Sequence, residues 1–167
     1  MTMELESIRK LYAYNHWAND RILGNVDGLS RDELMRGDGT SFGSLWGTLV
    51  HIFGVEWLYP QRWKGNSPPT LPKQDSISDF ANLRSYWNKT KAEQRQFLEE
   101  LTEERLHRRL DYINLQGERY GYPLIDQMKH LVNHSTYHRG QVALQLRSLG
   151  RKADSTDYLW YFDEIGQ

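Results

Sequence analysis

The chain has 167 residues, enough for one domain with a sizeable core, and that domain is expected to span 1–167. Its 21 Lys and Arg against 22 Asp and Glu leave a formal net charge of −1, which argues against nucleic acid and anionic membranes as partners. Cysteine is absent, so disulfides, thiolate metal ligands and a nucleophilic cysteine are excluded, and any metal must be held by His and carboxylate.

The opening "MTMELESIRK" lacks the charged-then-apolar pattern of a signal peptide, so a cytoplasmic setting is expected. A first long helix is predicted over residues 5–26, with Ile8, Leu11, Tyr12, Trp17, Ile22 and Leu23 facing inward and Gly28 ending it. The polar loop "RGDGTS" leads to a second helix over 41–63, with Thr40 or Ser41 available as its cap. Within it, residues 42–60 are nearly uncharged. They hold His51 and Glu56 and lack basic flanks, so a buried helix is predicted rather than a membrane span. "KGNSPPTLPK" carries Pro68, Pro69 and Pro72 and must be a non-helical connection. A third helix over 77–101 starts near Ser76 or Ser78 and carries Phe80, Leu83, Trp87, Phe97 and Leu98.

The period then changes. "RRLDYINLQGERYGYP" contains two short alternating runs about Gln116 and Gly117, which predicts a β-hairpin. A last long helix over 124–149 is ended by Gly150. The tail "STDYLWYFDEIGQ" suits a short helix docked by Tyr158, Trp160 and Phe162. The fold class expected is all-α: four antiparallel helices with one hairpin inserted before the last long helix.

The chain has six histidines, and three of them, His130, His134 and His138, fall within nine residues of the last long helix. Imidazoles at i and i+4 can share one ion, but a third at i+8 lies about 12 Å from the first along the axis. Only an adjacent pair can work. On a wheel centred on Leu124, Leu131, Val142 and Leu149, His138 lies roughly 30° from the apolar stripe, His134 roughly 70° and His130 roughly 110°. His134 and His138 therefore face the interior. A third ligand is suggested by His51, which is flanked one turn away by Gly47 and Gly54, on the face opposite Phe42, Leu49 and Phe53. A buried imidazole needs a hydrogen-bond or metal partner. Taken singly, such histidines are more often satisfied core residues; together, in a Cys-free chain, a three-His site and that reading stand level. Nothing near His16 or His107 repeats, and both read as structural or exposed.

At these residues the chain resembles a known family. "HLVNHSTYHRGQV", preceded by "YINLQGERYGYPL", is similar to the C-terminal signature of the DinB family, also called DinB/YfiT-like. "YNHWANDRIL", "LVHIFGVEWLY" and "STDYLWYFDE" resemble its other segments in the right order. The resemblance implies a four-helix, up-down-down-up bundle, a homodimer, and one divalent metal on His51, His134 and His138, with His130 a non-ligand.

Three neutral imidazoles leave a coordination position open, the pattern of a catalytic site. The ion expected is Zn, with Ni, Fe and Mn as alternatives. Characterised relatives include thiol S-transferases, so the resemblance implies a metal-dependent transferase that directs a low-molecular-weight thiol at an electrophilic substrate. The alternatives are a non-catalytic metal-binding stress-response protein and a metal-dependent hydrolase. Glu56 lies about 140° around its helix from His51 and reads as a salt-bridge partner or a support for a ligand before a general base. Arg139 and Gln141 lie about 100° and 60° around the helix from His138, where an inter-helix or dimer contact explains them as well as a catalytic role does; Trp17 reads as core, and Asn15 and Asn19 as candidate pocket residues.

Overall fold

A computed structural model describes residues 3–165; residues 1, 2, 166 and 167 of the expected 1–167 domain lie outside the described residues. In chain order the elements are α1 (Met3–Val26), α2 (Arg31–Met35), α3 (Leu45–Trp63), a 3-10 turn (Gln74–Ser76), α4 (Phe80–Glu99), α5 (Glu103–His107), strands β1 (Arg109–Ile113) and β2 (Arg119–Pro123), α6 (Leu124–Ser148) and α7 (Tyr158–Ile165). The strands pair antiparallel, Leu110 opposite Tyr122 and Tyr112 opposite Tyr120, and Gly117 takes the positive φ that the turn requires.

The expectation of an all-α chain with one small hairpin is met. The expectation of a four-helix up-down-down-up bundle is not: the described residues form seven α-helices. The three extra helices are short and locally encoded. Ser30 and Glu33 close a capping box over α2, and Thr102 caps α5 by accepting from Arg105 N. Each then buries one apolar side chain, Leu34 or Leu106. The tail helix α7 docks by Tyr158 and Tyr161 against Tyr14, whereas Trp160, expected to face inward, is exposed.

The caps of the long helices also shift. Ser44, not Thr40 or Ser41, caps α3 by accepting from Gly47 N, and Asp79 caps α4 by accepting from Asn82 N. Thr40 instead donates through N and Oγ1 to Asp38, a local turn that ends five residues before the first residue of the helix.

Two apolar clusters make up the core. One gathers Ile8, Tyr12, Tyr59, Trp63, Phe97, Leu106, Met128 and Leu131; the other gathers Ile22, Leu45, Leu49, Ile52, Leu83, Trp87, Val142 and Leu146. Helices α1 and α6 run from the first cluster to the second, while α3 and α4 run from the second to the first. At the changeover each long helix carries buried polar side chains: Asn15, His16 and Asn19; Glu56; Thr90 and Gln94; Ser135 and Arg139. A polar layer thus crosses the middle of the core. No helix among the described residues is long and apolar enough to cross a membrane.

Candidate metal centre

Helices α3 and α6 face each other across this layer, and His51, His134 and His138 project into the space between them. Each offers one ring nitrogen, and these three atoms lie within 4.8 Å of one another. His134 Nε2 is 3.1 Å from His51 Nε2 and 3.1 Å from His138 Nε2. Burial along α6 follows the wheel: His138 is buried, His134 half-buried and His130 exposed. His130 leans on Tyr59 with ring centroids 5.6 Å apart, outside the group.

The three nitrogens cannot satisfy one another. His138 Nδ1 meets Gln141 Oε1 at 2.7 Å and must donate there, which leaves its Nε2 as a bare lone pair. His134 Nε2 can donate its one proton to that lone pair or accept from His51, but not both. A neutral triad therefore leaves one of the two 3.1 Å contacts of His134 Nε2 without a usable proton, and a shared cation removes the conflict. Burial, the larger cause, and the neighbouring histidines push the His51 pKa down to about 4 and that of His134 to about 3, so both rings are neutral donors at pH 7. For a tetrahedral ion with Zn–N bonds near 2.0–2.1 Å the ligand nitrogens sit about 3.3 Å apart, close to the observed spacing. The residues fit a divalent metal.

Gln141, whose role the sequence left open, meets His138 Nδ1 from one turn away and so sets the tautomer of that ring, as a side chain behind a metal ligand does. Phe42 was expected on the helix face opposite His51, and the structure places it against His51 instead. Because α3 begins at Leu45, Phe42 lies outside the helix and folds back, its ring stacked on His51 at 4.1 Å and 18° and edge-on to His138 at 5.3 Å. Gly47 makes this return path open: a Cβ there would sit 2.1 Å from the Phe42 carbonyl oxygen. Gly54 faces Leu71 and Pro72, so the Pro-rich connection, not another helix, takes the space left by the small residues. Beside His51 opens a cleft of about 530 Å³ lined by Phe42, Val50, Leu71, Lys73, Gln74 and Asp75.

Glu56 does not face the cluster. It is buried and accepts from Asn15 Nδ2 (2.7 Å), Asn19 Nδ2 (2.8 Å), Ser135 Oγ (2.7 Å) and Gln94 Nε2 (2.7 Å). Asn15 and Asn19 are thus part of the polar layer and not pocket residues. His16 joins the same layer through Gln94 Oε1 at 2.7 Å. Trp17 packs on Tyr161 and donates to Glu164. His107 lies with Glu4 and Glu103 in a second group of potential ligands, mostly exposed, with its Nε2 3.0 Å from Glu4 and 3.4 Å from Glu103.

Protein DinB of Bacillus subtilis (strain 168) is 24% identical over 159 residues, which cover 91% of each chain. The crystal structure of a DinB-like protein from Bacillus cereus ATCC 10987 superposes with a TM-score of 0.71 at 16% identity, covering 90% of this chain and 95% of that one, a likeness of fold. The model of the DinB family matches residues 1–166. The chain belongs to the DinB family.

Proposed function

We propose that the protein is a metal-dependent transferase, holding one divalent ion on His51, His134 and His138 and joining a low-molecular-weight thiol to an electrophilic small molecule. The observation that carries this reading is the convergence of three imidazole nitrogens, with 3.1 Å between His134 Nε2 and each of the other two, beside an open cleft. Zinc is the ion favoured by an all-imidazole donor set. Bound there, it would supply Lewis acidity, depressing the pKa of a thiol or water at its open position.

The chain's own residues define the rest. Gln141 holds His138 with Nε2 turned to the centre. Phe42 covers one face of His51 and keeps water from that side. The cleft beside His51 admits the substrates, with the exposed Lys73 at its edge. With no cysteine in the chain, the sulfur must arrive with a cosubstrate. In the transfer a C–S bond forms as the bond to the leaving group breaks. The leaving group keeps the bonding pair, and the thiol proton passes to solvent. Glu56, engaged by four side-chain donors, takes no part as a base.

The test is turnover of a chloro-aromatic electrophile with a panel of biological thiols, using metal-replete protein, chelated protein and His134→Ala. Thiol-dependent product from the metal-replete protein alone supports the reading. Turnover of esters without thiol would reassign the protein as a hydrolase. Bound metal with no turnover, and no thiol effect on a cobalt-substituted centre, would leave it a metal-binding protein without this activity.

A further inference from the structure

A cleft of about 690 Å³ opens between α1, α4 and α7, and it shares no lining residue with the cleft beside His51. Ala13, Trp17, Leu98 and Tyr161 give it apolar and aromatic walls, with the Trp17 and Tyr161 ring centroids 5.6 Å apart. The volume falls within the roughly 300–1,000 Å³ of small-molecule sites.

One polar side chain reaches this cleft from the core. His16 is only 5% exposed, yet its ring lines the cleft. Its tautomer follows from its neighbours. Gln94 donates through Nε2 to Glu56 O at 3.1 Å and to Glu56 Oε2 at 2.7 Å, so Gln94 Oε1 can only accept. His16 Nε2, 2.7 Å from that oxygen, must therefore donate. Burial lowers the His16 pKa, against the raising effect of the Gln94 bond, and keeps the ring neutral at pH 7. Nδ1 is then a bare lone pair. No donor among the described residues meets it and the core does not enclose it, so it opens to the cleft.

The mouth carries positive charge. Arg9 and Arg95 line it, and Arg95 is exposed and enters no ion pair among the described residues. Of the two acids there, Asp20 is already held by Lys91 Nζ at 2.6 and 2.8 Å, which leaves Glu99.

We infer that this cleft is a second binding site, separate from the three-His centre, for a small hydroxylated aromatic acid. Its ring packs on Trp17, Leu98 and Tyr161, its hydroxyl donates to His16 Nδ1, and its carboxylate faces Arg95. Each part answers one feature of the cleft: the apolar walls, the lone pair and the cation in no ion pair. An aliphatic acid would leave the lone pair without a donor, and a neutral hydrocarbon would answer the walls alone.

The test is calorimetric titration of the full chain, with and without zinc, using 4-hydroxybenzoate, benzoate and 4-methoxybenzoate. It is read beside the nitrogen NMR resonance of His16 Nδ1. The hydroxy acid should bind about 2- to 10-fold more tightly than the other two, the worth of one neutral hydrogen bond, and it alone should move the Nδ1 resonance upfield. Ala13→Trp, at an exposed lining position, should abolish binding of all three. Arg95→Gln should weaken the hydroxy acid up to about fivefold and flatten its salt dependence, while leaving phenol binding unchanged. Equal affinity for the hydroxy and methoxy acids, or binding that survives Ala13→Trp, would overturn the inference. So would a free protein in which Nδ1 resonates as a protonated nitrogen. An affinity that changes with zinc would move the acid to the three-His centre and remove the second site.

Discussion

Glu56 and Arg139, each 1% exposed and opposite in charge, are joined through two amides and not by an ion pair of their own. Asn15 and Asn19 each donate Nδ2 to the carboxylate and accept from Arg139 Nη1 through Oδ1, at 2.7 and 2.9 Å. Arg139 Nη2 is taken by Tyr14 OH and Thr136 Oγ1. The amide dipoles carry the compensation that a direct contact would otherwise supply. Arg139→Met should then cost about 3–5 kcal/mol, because Glu56 is left as a buried charge without its counterpart. Adding Glu56→Gln should restore part of that loss. Urea denaturation of the two single variants and the double variant measures the coupling, and strictly additive losses would show that the two charges do not interact.

Metal content separates the histidines. His51→Ala, His134→Ala and His138→Ala should each empty the site, while His130→Ala should retain one ion per chain. Gln141→Ala should keep that stoichiometry and weaken metal affinity about 10- to 100-fold, since His138 loses the acceptor that fixes its tautomer. Elemental analysis and competition with a chelator give both numbers. Metal lost from His130→Ala would contradict the assignment.

Chelation should leave the helices in place. Neither apolar cluster includes His51, His134 or His138, and the hydrogen bonds that tie Glu56, Asn15, Ser135 and Arg139 together do not pass through them. Helical circular dichroism should therefore survive metal removal, with a lower melting temperature set by the lost binding energy. A cooperative loss of helix on chelation would make the metal structural.

Stability of the metal-free protein should fall with acid from about pH 6.5, the unfolded histidine value. Burial depresses the pKa of His16, partly opposed by its bond to Gln94, and holds His51 and His134 down at about 4 and about 3. Between these values and 6.5 the unfolded chain binds more protons than the folded one, so stability decreases as pH drops through that window and levels off below it. Urea midpoints from pH 7.5 to 5 give the slope, and His134→Leu should make it shallower by up to one proton. A midpoint flat across this range would show that these rings are not buried neutral.

Periodicity carried the long helices and the hairpin, because Leu124, Leu131 and Val142 or Leu45, Leu49 and Phe53 mark a face over many turns. It could not carry α2 or α5, which have five residues and one buried side chain each; their only local sign was a cap, as in the Ser30–Glu33 box. The pairing of His134 and His138 on an inward face was legible on one helix. The bonds that tie Asn15 and Asn19 to Glu56 and Arg139 were not, since those partners lie 37 to 124 residues away and a wheel names a face without naming what it meets. Phe42 was hidden by the misplaced start of α3: read as helix, it points away from the residue it covers.

The polar layer also acts as a detent on the helices. A slip of one residue turns a helix by about 100°, and in α6 that would carry Arg139 out of its ring of acceptors and into hydrocarbon. Apolar side chains above and below can trade shapes gradually, but a guanidinium has only one seat. Consider one residue inserted between Met128 and Leu131. Tyr12, whose hydroxyl donates to Met128 O at 3.1 Å, holds one end of the helix, and Arg139 with its partners holds the other. The helix cannot keep both, and the energetics of a stranded buried charge decide in favour of Arg139. The extra residue would be expelled as a bulge on the hairpin side, leaving His134 and His138 aimed at His51.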